Sequence, residues 1–173
     1  YARGSVIEGA VINGSLNQVA DSGPLLIDTP TPGSIGLLGE TDEWKFFARV
    51  GQLVSIAVNP GSSGVAPTVS PFLGRVSVEL VSPAGKRLAI VGNSTDGQAV
   101  ALANQLLTAE GTYTVRVRAA DGSPTSTGNY MVTAWNVTPD ELPLTLNRRA
   151  VGKIENPFSV DRWSFAGAAN QQV

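Results

Sequence analysis

From Gly111 to Ala119 the chain reads GTYTVRVRA, and every second side chain is apolar. Tyr113, Val115 and Val117 point one way; Thr112, Thr114, Arg116 and Arg118 point the other. A period of two fits a strand with one face in a core and one in water, and it excludes an amphipathic helix, whose period is 3.6. The pattern recurs in EWKFFA (Trp44, Phe46, Ala48), LVSIAVN (Val54, Ile56, Val58), RVSVELVS (Val76, Val78, Leu80) and NYMVTAW (Tyr130, Val132, Ala134). The joints are turn chemistry. Ser82-Pro83-Ala84-Gly85 and Asp121-Gly122-Ser123-Pro124 are expected to close hairpins, as is the short Gly51-Gln52 link. Only Val100 to Leu107 is ambiguous between helix and strand. About eight short strands at regular spacing predict an all-β chain, an antiparallel sandwich or barrel. Its expected core is Trp44, Phe46, Val54, Ile56, Val78, Leu80, Tyr113, Val115 and Tyr130.

The second constraint is internal. Shifted by 119 residues, the stretch 24–54 falls on 143–173 with nine identities in 31 ungapped positions. They include Pro24/Pro143, Gly33/Gly152, Asp42/Asp161, Trp44/Trp163, Phe46/Phe165 and Gln52/Gln171. Upstream the match thins, although Gly9/Gly128, Asn17/Asn136 and Asp21/Asp140 continue it. The expected organisation is one complete sandwich over 24–142, and the first strands of a second, truncated copy over 143–173. Residues 1–23 are expected to be the tail of a preceding copy or an added strand. A half-built sandwich exposes strand edges and half a core, so a partner is implied. The neighbouring repeat is one candidate. The other is the segment Ser5 to Leu16 of another copy, added by strand complementation.

Composition removes whole classes of function. The 173 residues contain no His and no Cys, so Ser-His or Cys-His nucleophile systems and zinc sites built on those ligands are excluded within this chain. A net charge of −2 with 15% charged residues gives no general attraction to nucleic acid or an anionic membrane. No apolar run approaches the roughly 20 residues of a spanning helix, so membrane insertion is not expected. The opening on Tyr1, without a leader pattern, is expected to be a mature or excised end.

The motifs GETDEWKFFARVGQLVSIAV, VSVELVSPAGKRLA and LTAEGTYTVRVRAADGSPTSTGNYMVTAW, in that order, resemble the bacterial pre-peptidase C-terminal domain. The points of likeness are an acidic residue before an aromatic-x-aromatic strand and Gly-Gln leading into the next strand. An L-x-x-P-x-G-x-x-L hairpin and two G-x-Y strands follow. The insertion Asn59 to Gly74, rich in Pro, Gly and Ser, departs from the pattern. The resemblance implies a non-catalytic jelly-roll sandwich of a secreted or cell-surface protein. One role is a structural or adhesive tandem repeat that can assemble head to tail into a fibre. The alternative is an accessory module for carbohydrate or collagen-like protein on a secreted hydrolase.

It also implies candidate sites. Some collagen-binding relatives hold calcium near the first strands, where Asp28, Glu40 and Asp42 stand here. Only Asp42 recurs in the second copy, as Asp161; Asp28 becomes Asn147 and Glu40 becomes Ser159. A retained Asp just before a strand also fits a backbone-capping acceptor. If the two G-x-Y strands are hairpin neighbours, Arg116, Arg118 and Trp135 share an outer face. That face would then serve ligand binding or packing between domains.

Overall fold

A computed structural model of the chain describes residues 20–61 and 70–172. Residues 1–19 of the segment expected to be a tail or an added strand, and half of the insertion before the hairpin, lie outside the described residues. The end of that segment, Ser22 and Gly23, belongs to the first strand of the sandwich.

Two sheets pack face to face. The first has the order β1 (Ser22–Pro24), β3 (Thr41–Ala48), β8 (Gly111–Ala119), β5 (Val76–Val81) and β6 (Arg87–Gly92). The second has the order β2 (Thr31–Ile35), β9 (Gly128–Asn136), β4 (Leu53–Asn59) and β7 (Val100–Leu106). Among the described residues there is no helix, and the ambiguous stretch is β7. All nine residues expected in the core are buried, joined by Leu25, Ile35, Leu73, Leu107, Val117 and Val132. Alternation is interrupted at Ser55 of β4 and Thr133 of β9, both buried, and is lost on β5, where every residue is buried. There Glu79 lies under Arg118 and Arg87, with Oε1 3.4 and 3.6 Å from their guanidinium nitrogens. The long arginine stems thus cover a central strand's polar face.

Two of the three expected hairpins are instead corners. β5 and β6 do pair antiparallel across Ser82–Gly85, but β3 and β4 lie in different sheets, as do β8 and β9. Gly51, at φ +86, turns the first corner in a left-handed conformation that glycine adopts without strain.

Residues 140–172 repeat the β1–β3 part of the sandwich's opening, while the stretch 150–154, which matches β2, forms no strand. β1 runs parallel to β3 with Gly23 beside Trp44; β10 (Asp140–Pro143) runs parallel to β11 (Asp161–Ser164) with Leu142 beside Trp163, each partner 119 positions on. Leu25 N donates to Lys45 O at 2.7 Å, and Leu144 N to Ser164 O at 2.7 Å. The turn bonds Thr29 N to Leu26 O and Glu40 N to Leu37 O reappear as Arg148 N to Thr145 O and Ser159 N to Asn156 O. The left-handed positions Asp28 and Gly51 reappear at Asn147 and Asn170. Even the Gln52 side chain that accepts from Arg49 N has its counterpart in Gln171 and Ala168 N. The surroundings are what differ. Trp44 and Phe46 are 7% and 4% exposed, whereas Trp163 and Phe165 are 37% and 45% exposed.

Candidate functional site

Asp42, at the start of β3, is fully buried and both its oxygens are occupied. Oδ1 accepts from Asp21 N at 2.8 Å, and Oδ2 accepts from the Tyr130 hydroxyl at 2.5 Å. That hydroxyl accepts in turn from Trp44 Nε1 at 2.8 Å, while Asp21 Oδ2 accepts from Ser34 N. The chain of bonds ties β1, β2, β3 and β9 together and spans both sheets. Burial pushes the Asp42 carboxyl up to about 6, against the lowering effect of its two donors; the nearby charges of Asp21 and Glu40 add to the rise. Burial first, and then the bond to Asp42, drives the Tyr130 hydroxyl far above its usual range.

Glu40 caps a turn: Oε2 accepts from Gly36 N at 2.6 Å and Leu37 N at 2.7 Å. Asp28 stands elsewhere, as a left-handed residue whose N–H donates to Ala134 O. The three calcium candidates of the sequence therefore do not converge. A depression of about 500 Å³ opens over Tyr130, Gly33 and Asp21. Its polar lining is engaged, since Asp21 holds Ser34 N and Asn129 Nδ2 donates to Ser70 O.

The expected shared face of Arg116, Arg118 and Trp135 is divided by the corner between β8 and β9. Both arginines lie on the outside of the five-stranded sheet, and Trp135 lies on the four-stranded one. The arginines belong to an ion-pair ladder across neighbouring strands. Arg116 Nε meets Glu43 at 2.8 Å, and Arg118 meets Glu79 and Asp121. The Asp121 carboxylate holds the Arg118 guanidinium above its ordinary range, and Arg118 holds Asp121 below its own.

Trp135 packs on Phe158, ring centroids 5.2 Å apart and planes at 50°. Beside this pair Asn156 Nδ2 donates to Asn136 O at 3.1 Å. The two contacts join the complete sandwich to residues 143–172. In the same joint, ligand oxygens of Asp140, Glu155 and Asp161 lie within 4.8 Å of one another. They line a depression of about 200 Å³ with Asp28, Asn136 and Thr138. Among the described residues no other group of three acids converges so, and of the three calcium candidates Asp28 alone borders it. Phe158 and Glu155 escaped the sequence reading because they replace Gly39 and Gly36 of the first copy. The unpaired outward Trp135 was the signal that a partner ring existed.

No protein-family model matches the sequence, and none of the curated proteins does. Among solved structures, the chain is similar to the pre-peptidase C-terminal domain of collagenase from Bacillus anthracis. Identity is 16%, with 68% of this chain and 98% of that one covered and a TM-score of 0.43. It is also similar to PliG, a periplasmic inhibitor of g-type lysozyme, from Salmonella Typhimurium. There identity is 18%, coverage 67% and 98%, and the TM-score 0.44. The Aeromonas hydrophila PliG matches at 17% identity over 66% and 96%, with a TM-score of 0.42.

Proposed function

We propose that this chain is a non-catalytic structural repeat of a secreted or cell-surface protein, in which sandwiches of about 119 residues follow one another end to end. One observation carries the reading: residues 140–172 rebuild the β1–β3 pair of the sandwich and its turns at a constant offset, down to single hydrogen bonds. Direction supports it. β3 runs from one pole of the sandwich to the other and β4 runs back, so Asp21, bonded to Glu43, lies at the first pole. Leu53 N bonds to Thr138 Oγ1, which puts the exit at the opposite pole. A repeat that starts at one pole and leaves at the other forms a string without doubling back. The secreted location rests on the motif resemblance, and the non-catalytic role also on the absence of His and Cys.

A protein in which residues 24–142 are repeated after Leu142 tests this by small-angle X-ray scattering. The expected particle is a rod whose longest dimension grows by one sandwich length per added unit. A compact particle, or units tumbling independently about a loose linker, would overturn the reading.

A further inference from the structure

We propose that the open edge of β11, with the apolar face behind it, is an acceptor for one antiparallel β-strand of the β8 type. That strand lies with the counterparts of Tyr113, Val115 and Val117 opposite Phe165, Trp163 and Asp161. The proposal rests on the tandem reading above and names the strand that reading leaves open.

Backbone direction fixes which groups are on offer. In the complete sandwich Glu43 N and Lys45 O turn toward β1, so the peptide groups of Asp42, Trp44 and Phe46 turn the other way and enter the β8 ladder. Ser164 O turns toward β10 in the same manner. The N–H and C=O groups of Asp161, Trp163 and Phe165 therefore face the other edge, where no described strand pairs with β11. A row of free backbone groups along an exposed apolar strand is a pairing template.

Side chains identify the occupant. Phe46 stacks on Tyr113 at 5.8 Å and 19°, and Trp44 sits opposite Val115. Phe165 and Trp163 stand at the matching places half-exposed, and Val160 and Ile154 are exposed as well. A strand with an aromatic and two β-branched residues on its inner face closes that gap. The outer face carries a charge signature. Glu43 is bridged by Arg116 across the β3–β8 pair, but its counterpart is Arg162, bridged now only by the exposed Glu141 at 3.2 Å. The occupant accordingly carries an acidic residue where β8 has Arg116.

Glu43 and Arg116 form a pair whose backbone groups point away from each other, the type with the closer side chains. The chain has no cysteine, so this register is open to direct measurement. The test uses the full chain with Arg162→Cys, an exposed position, and synthetic peptides of residues 109–120 carrying one cysteine at the place of 114, 116 or 118. Each peptide cysteine is supplied as its mixed disulfide with glutathione, so that the thiolate introduced at 162 displaces glutathione. The disulfide to place 116 is expected to form at least about tenfold faster than to the other two, since facing residues fall within disulfide range and diagonal ones do not. N-methylation at Val115 of the peptide is expected to abolish the reaction, and Glu at place 116 in an unmodified peptide to make it a better competitor than Arg. Equal rates at all three places, or a rate no faster than with a scrambled peptide, would overturn the proposal. An unmodified peptide of residues 9–17, whose sequence aligns with β9, is expected not to compete. If it competes as well as the β8 peptide, the β8 assignment fails. The scattering experiment is blind to the peptide, so loss of the acceptor and loss of the tandem reading are told apart.

Discussion

Asp42 carries two demands that pull its acidity in opposite directions. Its donors, Tyr130 Oη–H and Asp21 N–H, favour the carboxylate; burial beside Asp21 and Glu40 favours the neutral acid. Burial wins, and the group rises from 3.8 to about 6. The folded state then binds this proton more tightly than the unfolded one, so stability falls as pH rises between those two values and is flat outside them. The gap between 3.8 and about 6 corresponds to at most about 3 kcal/mol. Asp42→Asn resembles the neutral acid, and the difference between parent and variant cancels other carboxylates such as Asp121. Urea midpoints at stepped pH are expected to show the parent losing stability relative to the variant from pH 4 to pH 6. Parallel curves would put the proton elsewhere. Tyr130→Phe strips a buried acceptor of its donor and leaves Trp44 Nε1 unpaired; a loss of about 1–3 kcal/mol is expected in the same assay. That Asp42 matters was legible from its recurrence as Asp161. Its partner Tyr130 was not, because 88 residues separate them and only the strand order brings them together.

At the scale of elements, strands were plain in the sequence and their sheet membership was not. Alternation tells which side chains go inward, and both sheets of a sandwich share one interior, so β3 and β4 look alike whether they pair or face each other. Turn residues mislead in the same way, since Gly51 and Gly122 serve corners as well as hairpins. Arg116 and Trp135 were assigned one face for this reason. The corner after β8 and the return through β9 also demand a close approach. Gly128, at φ +139, begins β9 against Phe72 and Leu73, and a Cβ there would run into their backbone. Gly128→Ala therefore meets both backbone strain and a collision that no side-chain shift relieves. A loss of at least about 2 kcal/mol is expected in chemical denaturation. A change below about 0.5 kcal/mol would mean that the Phe72 segment moves aside freely.

For the whole molecule, the internal repeat supplies a control within one chain: the same local structure occurs once walled in and once open. The acidic joint of Asp140, Glu155 and Asp161 belongs to this scale: Asp140 and Asp161 are the counterparts of Asp21 and Asp42, and Glu155 stands where the first copy has Gly36. Hydrogen exchange turns the internal control into a measurement. The Trp44 and Phe46 amides enter the β8 ladder of a closed core, so they are expected to exchange only on global unfolding. The Trp163 and Phe165 amides face the free edge of β11 and are expected to exchange like loop amides, at least about a thousandfold faster, given a global stability of 5 kcal/mol or more. Arg162 and Ser164 turn toward β10 and are expected to fall between. Adding the β8 peptide is then expected to slow exchange at 163 and 165 and leave 162 unchanged, an alternation that non-specific sticking to an apolar surface does not produce. Equal protection at 44 and 163 in the chain alone would mean that the second opening is already closed, and the acceptor edge would not exist.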